Sequence, residues 1–282
     1  MKNFPVLFFL FIASQGNSQY YYKDIIGALE TNLQLQRLVN AGVQSVSLTS
    51  FDADGSFTEG FFVQQTITAN PLTLKTITRS GTGEDLTESV LISFFDTRLR
   101  LIKTTDSSFR IISHSTYEYN EQGDILKIIT RSLDSAGIVL MQEEHEWVYQ
   151  ETHRPVKMIR RKNLLLMDET VFIYDNSGNI IEEQTMKNGR MTGNLYYYYN
   201  DKNQMTDIVR YNDRAQRLLP DYMFEYSPAG QVIQKITVPG NNSEYLIWRY
   251  QYDARGLKIK EACFDKAKQL IGRIEYQYTF SQ

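Results

Sequence analysis

Little in this chain of 282 residues suits covalent or metal chemistry. Its single cysteine, Cys263, excludes an intrachain disulfide, so stability has to come from noncovalent packing even in an oxidising compartment. There are three histidines, His114, His145 and His153, and none lies in a recognisable nucleophile motif. A glycine-rich phosphate loop and a nucleophile elbow are also missing. Paired carboxylates such as Glu182-Glu183 alternate across a strand instead of converging on one bond, as glycoside hydrolysis requires. The chain is therefore expected not to be an enzyme, with no catalytic residues, no cofactor and no metal. An excess of positive charge is lacking too. A net charge of −3 with 22% charged residues argues against nucleic acid as a partner, because phosphate binding needs a concentrated basic face. The local cluster Lys157, Arg160, Arg161 and Lys162 reads as a solvated strand face.

Long apolar runs are confined to the start of the chain. Lys2 precedes the run Phe4 to Ala13, and Gly16-Asn17-Ser18 supplies the small residues that a signal peptidase reads. Residues 1–18 are thus expected to be a secretory signal peptide, too short to span a membrane, with Gln19 first after cleavage. No cysteine lies near the cut, which excludes lipid modification there. The expectation is a protein that is secreted, periplasmic or associated with the cell surface, with no transmembrane segment in the mature chain. Residues 19–44 form an N-terminal segment with the one helical pattern: Asp24 as cap, Ile26, Leu29 and Leu33 as stripe, and Gly42 as stop. This helix is expected to cover an edge or an end of a sheet, or to dock a partner.

What the sequence has in abundance is aromatic residues in a repeat. Seven times it writes an aromatic, any residue, then tyrosine: Tyr117/Tyr119, Trp147/Tyr149, Phe172/Tyr174, Tyr197/Tyr199, Phe224/Tyr226, Tyr250/Tyr252 and Tyr276/Tyr278. Successive tyrosines are 30, 25, 25, 27, 26 and 26 residues apart, a repeat architecture. Spacing of two puts both rings of a pair on one face of a strand. Four residues after the tyrosine, five units carry a residue tolerant of positive φ: Gly123, Gly178, Asn203, Gly230 and Gly256. The stretch between, such as Asp175-Asn176-Ser177-Gly178, fits a type I turn closed by a left-handed residue. Leu126, Ile181, Ile233 and Ile259 follow three residues after the glycines and read as the core-facing side of a return strand, although a bulge at the glycine would exchange the faces. Phe51 to Gly55 and Phe95-Asp96 read as weaker copies in the same series, and the Trp147 unit has His153 in place of glycine. The segment from Val43 to Ser93 also reads as β-rich, with loops at Pro71 and at Gly81-Thr82-Gly83.

Phe172-Ile173-Tyr174-Asp175-Asn176-Ser177-Gly178 and Tyr250-Gln251-Tyr252-Asp253-Ala254-Arg255-Gly256 resemble the YD repeats of the RHS family of large secreted or surface-associated proteins. The resemblance covers residues 93–280. It implies a long antiparallel sheet of β-hairpins, which in the largest members coils into a shell around a toxin or other cargo. This chain departs from those members in having no recognisable self-cleaving motif after the repeats and no separate domain beyond Gln282, so encapsulation is not expected.

The fold expected is all-β: tandem antiparallel hairpins over residues 45–282, forming one long twisted meander sheet able to coil on itself, with one N-terminal helix. Asp52-Ala53-Asp54-Gly55 fails as a calcium loop, because Phe61 falls where a bidentate carboxylate is needed. His145 among Glu143, Glu144 and Glu146 does not assemble the three or four convergent ligands a metal requires. The repeated aromatics read as a packing ladder, so ligand-binding candidates are aromatics that break the repeat: Trp147, Tyr196, Tyr198 and Trp248. The function expected is a secreted, non-enzymatic repeat scaffold whose partner is a protein or a cell-surface polysaccharide. The alternatives are a carbohydrate-binding module using those off-phase aromatics, and an accessory or remnant piece of a toxin shell.

Overall fold

The computed structural model describes residues 19–108, 111–212, 216–238 and 244–281; the expected signal peptide lies outside the described residues. A helix opens the chain, wound as a wider π-helix over Tyr21–Ile26 and then as α1, Gly27–Asn40. Nine strands follow: β1 Val43–Asp52, β2 Phe62–Ala69, β3 Leu72–Ser80, β4 Thr87–Phe95, β5 Leu101–Ser108, β6 Ile111–Tyr119, β7 Ile125–Leu133, β8 Val139–Glu151 and β9 Arg154–Lys162. Nine more complete the sheet: β10 Leu165–Tyr174, β11 Ile180–Lys187, β12 Arg190–Tyr199, β13 Met205–Asn212, β14 Arg217–Tyr226, β15 Val232–Thr237, β16 Leu246–Tyr252, β17 Lys258–Phe264 and β18 Leu270–Phe280. Each strand pairs antiparallel with the next, and β18 returns to pair with β1 from Phe280↔Val43 to Gly272↔Asp52. The open meander sheet expected from sequence is therefore corrected to a closed up-and-down barrel of 18 strands. Closure removes the two edges that an open sheet would leave unpaired.

The repeat sets one rim of this barrel. At Tyr119, Tyr149, Tyr174, Tyr199, Tyr226 and Tyr252 the register shifts by one residue, and the extra residue sits in the return strand. Leu126, Ile233 and Ile259, expected to face the core, occupy these bulges and are more than a third exposed, whereas Ile125 and Ile180, one residue earlier than Leu126 and Ile181, are buried. A bulge exchanges faces, and here it exchanged them. The acidic or amide residue that opens the turn serves as its own clamp. Oδ1 of Asp96, Asp175, Asn200 and Asp253 accepts the backbone N–H groups two and four residues on at 2.8–3.1 Å. Leu99 closes the Asp96 turn at φ 61° without a glycine, so the Phe95 copy belongs to the series. The Phe51 to Gly55 copy does not: it lies between β1 and β2, at the opposite rim.

Bulges leave carbonyls out of register, and the second aromatic of each pair collects them. The hydroxyls of Tyr119, Tyr149, Tyr174, Tyr199, Tyr226, Tyr252 and Tyr278 donate at 2.6–2.9 Å to the carbonyls of Leu101, Ile125, Pro155, Ile180, Met205, Val232 and Lys258. Every acceptor is the residue paired with Phe95 or with the tyrosine of the preceding unit. This explains why the second position is tyrosine throughout while the first varies among Tyr, Trp and Phe. The first aromatic faces the lumen.

The lumen is occupied by the helix, which was expected at an edge or an end of the sheet. Tyr22 and Ala28 are buried against Trp147, Phe172, Tyr197 and Phe224 on one side of the barrel, and Leu35 and Leu38 against Val46, Val63, Leu74 and Ile274 on the other. Leu29 and Leu33, part of the expected stripe, are exposed instead at 49% and 39%. The outer wall is polar at mid-height. Arg161 bridges Glu144 and Glu146, and Lys157 meets Glu169, all on the face opposite the lumen aromatics. No helix among the described residues is long and apolar enough to cross a membrane.

If the hydroxyl ladder holds the units together, Tyr174→Phe and Tyr199→Phe should each lower stability by about 1 kcal/mol, the net worth of a typical hydrogen bond. Tyr198→Phe, on the opposite face of the same strand, should change it by less than about 0.5 kcal/mol. Urea unfolding followed by fluorescence distinguishes these outcomes.

Candidate functional site

The best-defined polar constellation in the molecule is where the helix begins inside the barrel. Glu183 projects inward from β11 between Phe172 and Leu195, and it is fully buried. Its carboxylate accepts the backbone N–H groups of Tyr20 at 3.1 Å and Tyr21 at 2.8 Å, together with the Tyr197 hydroxyl. These are first-turn N–H groups with no partner inside the helix, at the positive end of its dipole. Burial nevertheless pushes the Glu183 carboxyl up to about 7, against the opposing pull of those hydrogen bonds. Sequence reasoning placed the cap at Asp24. The actual cap comes from a strand more than 160 residues away, a role that no local motif reveals.

Asp24 has another task. Its carboxylate lies 2.6 Å from Nδ1 of His145, whose Nε2 is 3.0 Å from Glu143. Burial lowers the imidazolium's affinity for its proton, but the two carboxylates outweigh that and carry it up to about 10. On either side, the Gln19 amide donates to Asp221 at 2.6 Å, and Lys235 donates to the Tyr22 hydroxyl at 3.2 Å while lying 4.6 Å from the centre of the Tyr222 ring. Further along, Asn32 accepts the Leu101 N–H at 2.8 Å. The helix is thus fixed to β5, β8, β11, β14 and β15 by hydrogen bonds as well as by apolar packing. Beside it, a recess of about 240 Å³ opens between Tyr21, Tyr22, Glu30, Tyr199, Met205 and Phe224.

The four off-phase aromatics do not converge. Trp147 is 2% exposed and stacks on Phe172 at 5.2 Å and 9°, so it belongs to the packing around the helix. Trp248 pairs with Lys235 and Cys263, which places it on the lumen side. Tyr196 and Tyr198 lie side by side on the outer wall, Tyr196 beside Glu182 and Asn194, and Tyr198 opposite Asp207 and 47% exposed. Tyr211, on the neighbouring strand and 43% exposed, extends this outward group. The remaining polar candidates are engaged locally. Asp54 accepts from Ser56, Asp52 from Thr58, and Asp124 lies 2.5 Å from His153 of the adjacent hairpin.

Glu183 ties helix docking to pH with a defined sign. Its folded value near 7 stands above the ordinary carboxylate value of about 4.3, so its contribution to stability is fully present below pH ~4.3 and is lost as pH rises through ~7. Glu183→Gln keeps an acceptor without the titration and should flatten the stability profile across that interval. Glu183→Leu leaves two backbone N–H groups and a tyrosine hydroxyl without their acceptor and should cost about 3 kcal/mol or more. Denaturant midpoints measured from pH 4 to pH 8 read both effects.

No protein-family model matches the chain, and no curated protein matches it. Among solved structures it is similar to a porin-like protein from Bacteroides uniformis, with 9% identity over 84% of this chain and 98% of the other, at a TM-score of 0.40. A porin-like protein from Bacteroides vulgatus aligns over 84% and 98% with 12% identity and a TM-score of 0.28. The TcdB2-TccC3-Cdc42 structure aligns over 79% of this chain and 15% of its own, with 12% identity and a TM-score of 0.27.

Proposed function

We propose that this protein is an exported, non-enzymatic scaffold that binds a partner protein or a surface polymer through the outside of its barrel. One observation carries the reading: the lumen, where barrels of this size hold ligands or conduct solutes, is taken by the chain's own helix and tied to it by buried hydrogen bonds. The inward acids have structural partners: Glu183 the helix N-terminus, Asp168 the Arg160 guanidinium and Glu261 the Lys258 ammonium. The resemblance to YD repeats and the leader-like residues 1–18 support export. A second reading has its own support. Tyr196, Tyr198 and Tyr211 form an outward aromatic group on β12 and β13, suited to stacking against sugar rings.

Tyr196→Ala with Tyr198→Ala distinguishes the two. In the carbohydrate reading, glycan-array binding by the parent chain should fall at least tenfold, with stability changed by less than about 1 kcal/mol. In the scaffold reading, the double variant retains the partner of the parent chain, protein or polymer, undiminished. A parent chain that binds neither glycans nor a stoichiometric partner overturns both.

A further inference from the structure

The two rims of the barrel differ. The rim built by the repeat carries polar turns, most of them clamped by their own Asp, Asn or Ser side chains, and no large apolar side chain there is as much as half exposed among the described residues. At the other rim, large apolar side chains stand exposed at several hairpin tips. Each large apolar side chain that is at least half exposed among the described residues belongs to this rim, from Phe57 at 73% and Leu86 at 53% to Leu164 at 76%. They are densest on three consecutive hairpins, β7–β8, β9–β10 and β11–β12, which carry Ile138, Leu140, Leu164, Leu165, Leu166 and Met191 at 55–76% exposure.

Leu164 is the most telling of these. The β9–β10 turn places Asn163 at φ 49° and Leu164 at φ 69°, and the next hairpin makes the same kind of turn with Asn188 at φ 50° and Gly189 at φ 73°. Such a turn favours glycine at its second position, because a side chain there is strained. Leucine takes that strained position with three-quarters of its surface in solvent, so nothing inside the molecule offsets it. A local rule broken without compensation in the fold marks a surface used for something else.

The charge around these tips identifies what it meets. Lys162, Lys187 and Arg190 flank the leucines and Met191, and Lys187 and Arg190 make no ion pair among the described residues. The one acidic residue in these three turns, Asp134, is occupied by the N–H groups of Ala136 and Ile138, both at 2.9 Å. Separate tips about 10 Å apart, two strand spacings, form no groove for a folded ligand. Aliphatic tips ringed by lysine and arginine match the boundary between anionic headgroups and acyl chains. The charged outer wall, with Arg161, Glu144, Glu146, Lys157 and Glu169 outward, limits the contact to this end. We infer that the β7–β12 sector of this rim docks the barrel end-on to an anionic lipid surface, with Leu164–Leu166 as the inserted residues and Lys162, Lys187 and Arg190 at the headgroups.

The test uses the chain from Gln19, without the apolar run of residues 4–13, and vesicles of phosphatidylcholine with or without phosphatidylglycerol. The chain should co-sediment with the anionic vesicles, less so as salt rises, and only weakly with the neutral ones. Lys187→Ala and Arg190→Ala should each weaken partitioning about fivefold. Leu164→Gly should weaken it as well while raising Tm by roughly 2–4 °C, since it relieves the turn. Loss of binding in a more stable protein excludes misfolding as its cause. No partitioning into anionic vesicles overturns the proposal, as does full binding by Leu164→Gly. A concentration-dependent dimer in sedimentation velocity that Leu164→Gly abolishes would assign the rim to a second copy instead, and also overturns it.

Discussion

An 18-stranded barrel encloses more space than the side chains of its own wall can fill, and the architecture of this protein follows from that. Eight strands suffice to pack an interior from the wall alone, whereas barrels of 16 to 18 leave an aqueous channel. Here the inward face carries Trp147, Phe172, Tyr197 and Phe224, rings that water would solvate poorly. The helix resolves the conflict by supplying an apolar surface from inside. That solution creates a second problem, because a helix terminus placed in a barrel brings unpartnered N–H groups with it. Glu183 answers the second problem at the expense of burying a carboxylate. The wall, the helix and the buried acid are therefore one solution, each in contact with the others.

How much of this is legible in the residues differs by range. The repeat, its turns and the direction of its aromatic pairs follow from local chemistry: period two, an Asp or Asn that clamps its own turn, and a residue at positive φ. The expected turn at Asp175-Asn176-Ser177-Gly178 has that geometry, with Gly178 at φ 85°. The bulge was foreseeable only as an ambiguity, since Ile180 and Ile181 are both isoleucine and either could face inward; the Tyr174 hydroxyl ladder does not settle it until the pairing is known. Closure was not legible. β1 and β18 alternate in the same way whether they are neighbours or opposite edges, and the pairing of Val43 with Phe280 joins residues from the two ends of the sheet. The helix is legible but its place is not, because an amphipathic stripe implies a single protein-facing side. In the lumen the buried positions are Tyr22, Ala28, Leu35 and Leu38, on different sides of the helix.

The candidate site shows the same division. The aromatics that stand out from the repeat in sequence fall on both faces of the wall. Trp147 fills the first position of its own unit and packs against Phe172. Tyr196 and Tyr198 alternate with the lumen residues Tyr197 and Tyr199, so they point outward. One sequence run, Tyr196 to Tyr199, thus supplies the core, the hydroxyl ladder and an outer surface through the alternation of a single strand.

Repetition also explains why the two rims are unlike. The repeated unit spans an outgoing strand, its turn and a return strand, so selection for a regular ladder constrains that turn in every copy. Tyrosine and bulge have to coincide, or the carbonyl of the preceding unit loses its donor. The hairpins at the far rim join one unit to the next and carry no such requirement. Their turns differ in length and kind: Asn163-Leu164 and Asn188-Gly189 take positive φ in succession, whereas Asp134 to Gly137 forms a clamped loop. Freed from the ladder, these connections tolerate residues the fold would not choose, including a leucine where glycine is easier. A barrel of this kind separates its obligations by end: one rim maintains the structure, and the other is available to meet what lies outside it.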